Sequence, residues 1–312
     1  MNILFIDTVH PSLRASLEAA RHLCEDGTSW TRETILERVD EYDGVVIRSR
    51  IALDKEFLQR ATRLKFIARA GAGMENIDVA EANTRGIQCL NAPEGNRDAV
   101  GEQAIAMLLS LFSNLLRGDR EVRAGKWRRE QNRGVELQGK TVGLIGYGNT
   151  GGAFAKKLSG FDCAVLAYDK YRKEYSDAYA KEVQMEQLFK EADIVSLHVP
   201  LTPETKYLVN EAFLAKFQKE IYVLNTSRGL CLQTDALVKS MKSGKVKGAC
   251  LDVIEYEDSS FEQFDFILNE SWKYLVESDQ VVLSPHIAGW TRESNEKMAK
   301  VLFEKIIGIV GI

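Results

Sequence analysis

The sequence has little excess of charge of either sign. Its 41 Lys and Arg stand against 45 Asp and Glu, for a net charge of −4. That leaves no basic footprint for nucleic acid, and the charges alternate as on solvated helix faces. CxxC pairs are also absent. The five cysteines (Cys24, Cys89, Cys163, Cys231 and Cys250) are scattered and odd in number. This argues against a disulfide framework or a thiolate metal site and for reduced, buried thiols. No metal is expected. No stretch reaches the roughly 18 consecutive apolar residues needed to span a bilayer. The opening MNILFID reads as a strand ending on Asp7, not as a signal peptide. Internal repeats and low-complexity tracts are missing too. The expectation is a soluble, cytoplasmic protein with neither a membrane nor a nucleic acid as partner.

What is present is apolar content of 45% in 312 residues, enough for sizeable cores and for roughly two domains. In the first hundred residues, apolar runs at 2–6, 44–47, 65–68 and 87–90 read as strands. Helical patterns lie between them at 11–23 and 54–61. This βαβα order implies a parallel sheet with helices on its faces. A long helix is expected over 98–117, continuing toward residue 124, followed by a polar, basic segment (125–137) whose one apolar anchor is Trp127. Strand and helix then alternate again, with strands at 194–198, 222–225, 248–252 and 280–283. A final amphipathic helix over 291–309 is expected to return to the first domain. Between Glu257 and Val281, the aromatics Phe261, Phe264, Trp272 and Tyr274 read as cover for a hydrophobic surface.

The second half is organised around residues 140–169, KTVGLIGYGNTGGAFAKKLSGFDCAVLAYD. The order is strand, glycine turn, helix, strand, acid. Gly146 permits a tight turn, Gly148 lets a pyrophosphate approach the backbone, and Gly151 lets helix and strand pack closely. Phosphates then meet the free N–H groups and the dipole of the helix N-terminus. Asp169 is placed to accept from a ribose 2′-hydroxyl and to repel a 2′-phosphate, which favours NAD. Lys170 and Arg172 follow it directly, as cations that partly accommodate such a phosphate.

Ligands of open α/β sheets bind beyond the carboxyl ends of strands. Arg228 (in NTSRG), Glu257 and His286 (in SPHIAGWT) follow three such ends. A guanidinium can grip a carboxylate and polarise the neighbouring carbonyl. A histidine can move the hydroxyl proton near neutral pH, and a neighbouring carboxylate would fix the imidazole's orientation. Taken singly, each also reads as a surface charge or a structural histidine.

NTSRG, LDV with Glu257 five residues after Asp252, PHIAGWT, HVPLTPET (198–205) and the VGLIGYGNTG turn together resemble the signatures of the D-isomer-specific 2-hydroxyacid dehydrogenases. The resemblance implies two doubly wound parallel-sheet α/β domains. One is a flavodoxin-like substrate domain over 1–96 plus 291–312, and the larger is a Rossmann-type NAD domain over 97–290. By the same resemblance Arg228, Glu257 and His286 are catalytic. Gly146, Gly148, Asn149, Thr150, Gly151, Asp169, Val199, Pro200, Thr205, Thr226, Ser227, Asp252, Ala288 and Gly289 line the cofactor, and the assembly is a homodimer.

The loops at 46–50, 68–73 and 91–96 are similar to those of phosphoglycerate-oxidising members. They mark Arg48, Arg50, Arg69, Ala70, Gly71 and Asn96, with Arg228, for the substrate. Arg48, Arg50 and Arg69 would bind a phosphate through charge-assisted hydrogen bonds, with Arg128, Arg129 and Arg133 adding charge, across a dimer. Arg50 and the cations near Trp127 read equally well as ordinary surface charges.

The expected activity is oxidation of 3-phosphoglycerate to 3-phosphohydroxypyruvate, a step toward serine, in a form without a regulatory domain. The alternatives are erythronate 4-phosphate, reduction of hydroxypyruvate or glyoxylate, and an NADH-sensing binding protein. The sequence departs from the family pattern at Asp258, where a proline commonly stands, at Cys231-Leu232-Gln233, and in a longer segment before His286.

Overall fold

The computed structural model describes residues 1–257 and 269–310, which form two compact units. The division falls between Arg97 and Asp98, and the chain returns to the first unit at Gly289.

The first unit is a five-stranded parallel sheet. Its strands are β1 (Asn2–Phe5), β2 (Leu23–Asp26), β3 (Gly44–Ile47), β4 (Phe66–Arg69) and β5 (Gln88–Asn91), in the order β2-β1-β3-β4-β5. That is the flavodoxin-like doubly wound order. Alternate residues of each strand feed two cores, as the period of two requires. Leu4, Ile6, Val45, Ile47 and Ile67 pack on one face with Ile35 of α2 (Arg32–Arg38) and Phe57 and Leu58 of α3 (Lys55–Arg60). Ile3, Phe5, Val46, Phe66 and Ala68 pack on the other with Leu13 and Leu17 of α1 (Pro11–Ala19). The terminal helix, Arg292–Val310, adds Met298, Leu302 and Ile306 to that second face. Gly44 is a requirement of this packing, because a Cβ there would lie 2.2 Å from the ring of Phe66.

The second unit is a seven-stranded parallel sheet. It contains β6 (Thr141–Ile145), β7 (Ala164–Tyr168), β8 (Lys181–Glu182), β9 (Ile194–Leu197), β10 (Ile221–Asn225), β11 (Val246–Leu251) and β12 (Val281–Leu283). The order is β12-β11-β10-β9-β6-β7-β8. Read from β6 outward this is the 3-2-1-4-5-6 order of a dinucleotide-binding sheet with one further strand, and the winding reverses between β6 and β9. One face carries Val142, Leu144, Leu224 and Cys250 against Met107 and Leu111. The other carries Val195, Leu197, Val223 and Leu251 against Phe213, Leu214, Leu237 and Met241. The five cysteines are free thiols.

Two sequence expectations need adjustment. The long helix, α4, starts at Pro93, where proline suits a first turn, and stops at Phe112. Asn114 then adopts a left-handed conformation (φ 51°), and a separate helix, Leu115–Arg123, departs at 61°. The helix expected over 11–23 ends at Ala19, because its last residues turn into the edge strand β2. Of the four aromatics between Glu257 and Val281, Trp272 and Tyr274 pack on the core containing Leu237, while Phe261 and Phe264 lie outside the described residues.

Candidate active site

The glycine turn follows β6 at the point where the winding reverses. Gly146 has φ +95°, and a Cβ there would sit 2.4 Å from the carbonyl oxygen of His198, at the end of β9. A Cβ on Gly151 would sit 2.3 Å from the Gly146 carbonyl oxygen, so both glycines are close approaches. Gly148 differs. It is the N-cap of the helix α5 (Asn149–Leu158), has open space where a Cβ would be, and leaves the helix N-terminus without a side-chain cap. Uncapped N–H donors beside open space are what a pyrophosphate needs.

Asp169 directly follows β7. Its carboxylate accepts from the N–H groups of Tyr147 (2.9 Å), Tyr171 (2.9 Å) and Arg172 (3.0 Å). Burial raises its pKa, but these donors and the Arg172 charge outweigh that and hold it below the usual carboxylate value. Thr226, at the end of β10, has a buried hydroxyl oxygen with no partner among the described residues. These features fit NAD, which Gly148, Asn149, Thr150, Asp169 and Thr226 would hold.

Under the glycine turn lies His198. Its Nε2 is 2.9 Å from the Ser196 hydroxyl, its Nδ1 has no partner among the described residues, and its ring tilts against Phe154. Burial pushes its pKa down to about 3. Because that lies below the unfolded value, the unfolded chain binds the proton first. Stability is full above about pH 6.5 and falls as pH drops toward 3, by about 1.4 kcal/mol per pH unit from this group. Urea unfolding of wild type and His198→Asn at pH 7.5 and pH 5 should show a gap that shifts by about 2 kcal/mol in favour of the variant at low pH. A constant gap would refute buried, neutral His198.

Arg228, Glu257 and His286 all belong to the second unit. The turn after β10 is shaped by Asn225, whose side-chain oxygen accepts from the Ser227 N–H (3.0 Å) and hydroxyl (2.8 Å) and whose amide donates to the Arg228 carbonyl oxygen (3.0 Å). The Arg228 guanidinium donates to the Ser227 carbonyl oxygen at 2.6 Å. Gly229 abuts the loop after β11, for a Cβ there would lie 2.0 Å from the Ile254 carbonyl oxygen. In that loop the Ile254 N–H donates to Glu257 Oε1, and Glu257 Oε2 meets His286 Nδ1 at 2.6 Å. With Nδ1 turned to the carboxylate, Nε2 is the ring atom placed for proton exchange.

His286 sits at φ +53°, a region where histidine is tolerated better than most residues. Asp252 holds it there. The Asp252 carbonyl oxygen accepts from the His286 N–H (2.8 Å), and the carboxylate from the Ser284 hydroxyl (2.6 Å) and the N–H groups of Ile287 (3.0 Å) and Ala288 (2.8 Å).

Several sequence assignments change in character. Both Asp252 oxygens serve the His286 loop, so this residue positions the histidine. The Thr205 hydroxyl donates to the Pro200 carbonyl oxygen (2.6 Å) and accepts from the Thr202 N–H (2.8 Å), which braces the loop carrying Val199 and Pro200. The Ser227 hydroxyl is likewise committed to Asn225. In the first unit, Arg50 is corrected outright. Its guanidinium donates to the carbonyl oxygens of Ile6, Gly27 and Trp30 and lies 3.5 Å from Asp7, so it clamps loops and is not available for a phosphate.

Asp7 was not singled out as a site residue, yet it organises the loop after β3. One of its oxygens accepts from the N–H groups of Arg48, Ser49 and Arg50. Arg69 is buried and donates through Nε to the Arg48 carbonyl oxygen at 3.1 Å, and a Cβ on Gly71 would collide with its guanidinium at 2.1 Å. The Ala70 N–H donates to the Ile47 carbonyl oxygen, and the Asn96 side-chain oxygen is buried without a partner among the described residues. The Arg48 guanidinium lies 4.2 Å from the Trp290 ring centroid. Trp290 was missed because a lone aromatic after PHIAG carries no pattern of its own. Gly289 turns the chain toward it at φ +90°, its carbonyl oxygen accepting from the Ser294 hydroxyl.

A doubly wound dinucleotide sheet, an acid at the end of β7 and a histidine–carboxylate pair at the carboxyl ends of β11 and β12 define a nicotinamide-dependent oxidoreductase. The family model described as D-isomer specific 2-hydroxyacid dehydrogenase, NAD binding domain, matches residues 105–288, more than half of the chain. The chain belongs to that family and is an NAD-dependent 2-hydroxyacid dehydrogenase. It is 36% identical over 281 residues to the hydroxypyruvate reductase of Thermotoga maritima, covering 90% of this chain and 89% of that one. It is 37% identical over 284 residues to the D-3-phosphoglycerate dehydrogenase of Archaeoglobus fulgidus, covering 90% of this chain and 52% of that one, so it spans about half of that relative. The crystal structure of a glyoxylate reductase from Paecilomyes thermophila matches with a TM-score of 0.87 at 27% identity, over 100% of this chain and 96% of that one.

Proposed function

We propose that the substrate is a D-2-hydroxy acid bearing a second anion, 3-phosphoglycerate, oxidised to 3-phosphohydroxypyruvate on the way to serine. NAD supplies the hydride acceptor. Arg228 binds the carboxylate and polarises the C2 oxygen through its planar fork of donors. His286 takes the hydroxyl proton at Nε2, and Glu257 orients the imidazole and stabilises it once charged.

The observation that carries the phosphate is the neighbouring placement of Arg48, just past β3, and Arg69, at the end of β4, whose guanidinium donates to the Arg48 carbonyl oxygen. Two arginines at the carboxyl ends of adjacent strands suit a phosphate better than a lone carboxylate does. A panel of phosphorylated and unphosphorylated 2-hydroxy and 2-oxo acids, followed by nicotinamide absorbance, tests this. Arg48→Ala should raise KM for 3-phosphoglycerate by about 10- to 100-fold, the loss of a hydrogen bond to a charged group. KM for glyoxylate should change by less than about threefold. Equal effects on both substrates would remove the phosphate from the reading.

Reduction of hydroxypyruvate or glyoxylate is the second reading. It is favoured by the withdrawal of Arg50, which leaves two cations where three were expected. In the second unit Leu115, Leu116, Val122, Trp127 and Val135 are exposed, Trp127 by 79%. An apolar set of this kind suits a second copy of the chain, and the reading includes a homodimer. A monomer mass in light scattering would withdraw it.

A further inference from the structure

We infer that Glu204 is a second determinant of cofactor choice, acting by holding Lys170 away from the position a 2′-phosphate would take. In a dinucleotide-binding sheet the acid after the second strand receives the ribose hydroxyls, and a cation beside it is what admits a 2′-phosphate. Of the cations that follow Asp169, Lys170 and Arg172 are each engaged elsewhere. The Arg172 guanidinium turns back to the carbonyl oxygen of Tyr147 in the glycine turn and lies 5.9 Å from the Tyr175 ring. The Lys170 ammonium pairs with Glu204 at 2.7 Å.

Glu204 lies 34 residues further on, in the loop after β9, across the point where the winding reverses. The same carboxylate oxygen accepts from the Tyr171 hydroxyl at 2.6 Å, so two consecutive residues are tied to one anchor. Meanwhile the N–H groups of Tyr171 and Arg172 stay on Asp169. The backbone of this segment therefore serves the ribose acid, while its lysine is directed to a different loop. NAD preference then has two layers: the repulsion exerted by Asp169, and the removal of the neighbouring cation by Glu204.

The test uses the full chain and compares kcat/KM for NADPH with that for NADH, with one 2-oxo acid, in wild type, Glu204→Gln, Lys170→Ala and the double variant. Glu204→Gln keeps the shape and removes the charge. It should raise the NADPH to NADH ratio about fivefold, the scale of one charge contact at a half-exposed site, through better use of NADPH. In the Lys170→Ala background the same substitution should change the ratio less than about twofold. Both side chains are more than half exposed, so the variants should melt at the wild-type temperature. An unchanged ratio in Glu204→Gln overturns the inference. So does a rise that persists without Lys170, or one that comes only from poorer use of NADH.

Discussion

Replacing His286 with alanine should lower kcat by about 10²- to 10⁴-fold, the range for loss of a positioned acid–base group, and leave the Kd for NADH within about twofold. The two halves of this result test different parts of the site. In the proposed mechanism, proton transfer depends on the imidazole held by Glu257 at 2.6 Å. Dinucleotide binding depends on the glycine turn, the uncapped start of α5 and Asp169, none of which uses the ring. Alanine at φ +53° carries a backbone cost of about 1–2 kcal/mol that asparagine largely avoids. His286→Asn should therefore lose turnover to the same extent with a smaller loss of stability. Glu257→Gln should be less severe, since it keeps the shape and removes the charge that stabilises the imidazolium. Calorimetric titration with NADH, beside steady-state rates, decides the matter. An asparagine variant that no longer binds NADH, or an alanine variant retaining more than about a tenth of kcat, would contradict the assignment of His286 to proton transfer.

What the sequence discloses and what it withholds follow from the range of the interactions. The glycine turn is legible because the positive φ of Gly146 and the approach of Gly151 to the Gly146 carbonyl oxygen are local demands, which leave a fixed spacing in the chain. Glu257 and His286 are legible as candidates because each lies just past a strand of unmistakable apolar character. The alternation of strands and helices announces parallel sheets, although the edge strands β2 and β8 do not stand out. Leu23–Asp26 carries two acids and is largely exposed, and Lys181–Glu182 is two residues long. The break at Asn114 is hidden because one residue with positive φ interrupts a helical pattern that continues on both sides.

Side-chain allegiance is hidden most deeply. Arg50 and Arg69 look alike in sequence, yet one is consumed by three carbonyl groups and the other lies buried beside Arg48. Asp252 falls in the motif as a ligand-lining acid, but its partners, 32 to 36 residues later, make it the support of the loop that carries His286. Such distinctions depend on which groups the fold brings within 3 Å, and no local pattern encodes that.

Gly229→Ala should be nearly as damaging to turnover as the loss of an acid–base group, although the new methyl touches no substrate. A Cβ at this position would lie 2.0 Å from the Ile254 carbonyl oxygen, 2.1 Å from its carbon and 2.6 Å from the Glu255 nitrogen. These are backbone atoms and cannot rotate aside, so one of the two loops must move. On one side is Arg228, immediately preceding Gly229, with its carbonyl oxygen held by Asn225. On the other is Ile254, whose N–H holds the Glu257 carboxylate that in turn holds His286. In the proposed mechanism the guanidinium and the imidazole act on one oxygen, and a displacement on the order of 1 Å between them costs about 100-fold in rate. Overpacking of this kind removes about 1–3 kcal/mol of stability, which the fold should survive. The prediction is a folded variant with kcat/KM reduced about 100-fold or more, near-normal NADH affinity and a lowered melting temperature. Because the effect works through Glu257, adding Glu257→Gln to Gly229→Ala should cost much less than it does in wild type. Full additivity of the two substitutions would show that the contact between these loops does not set the position of the catalytic pair.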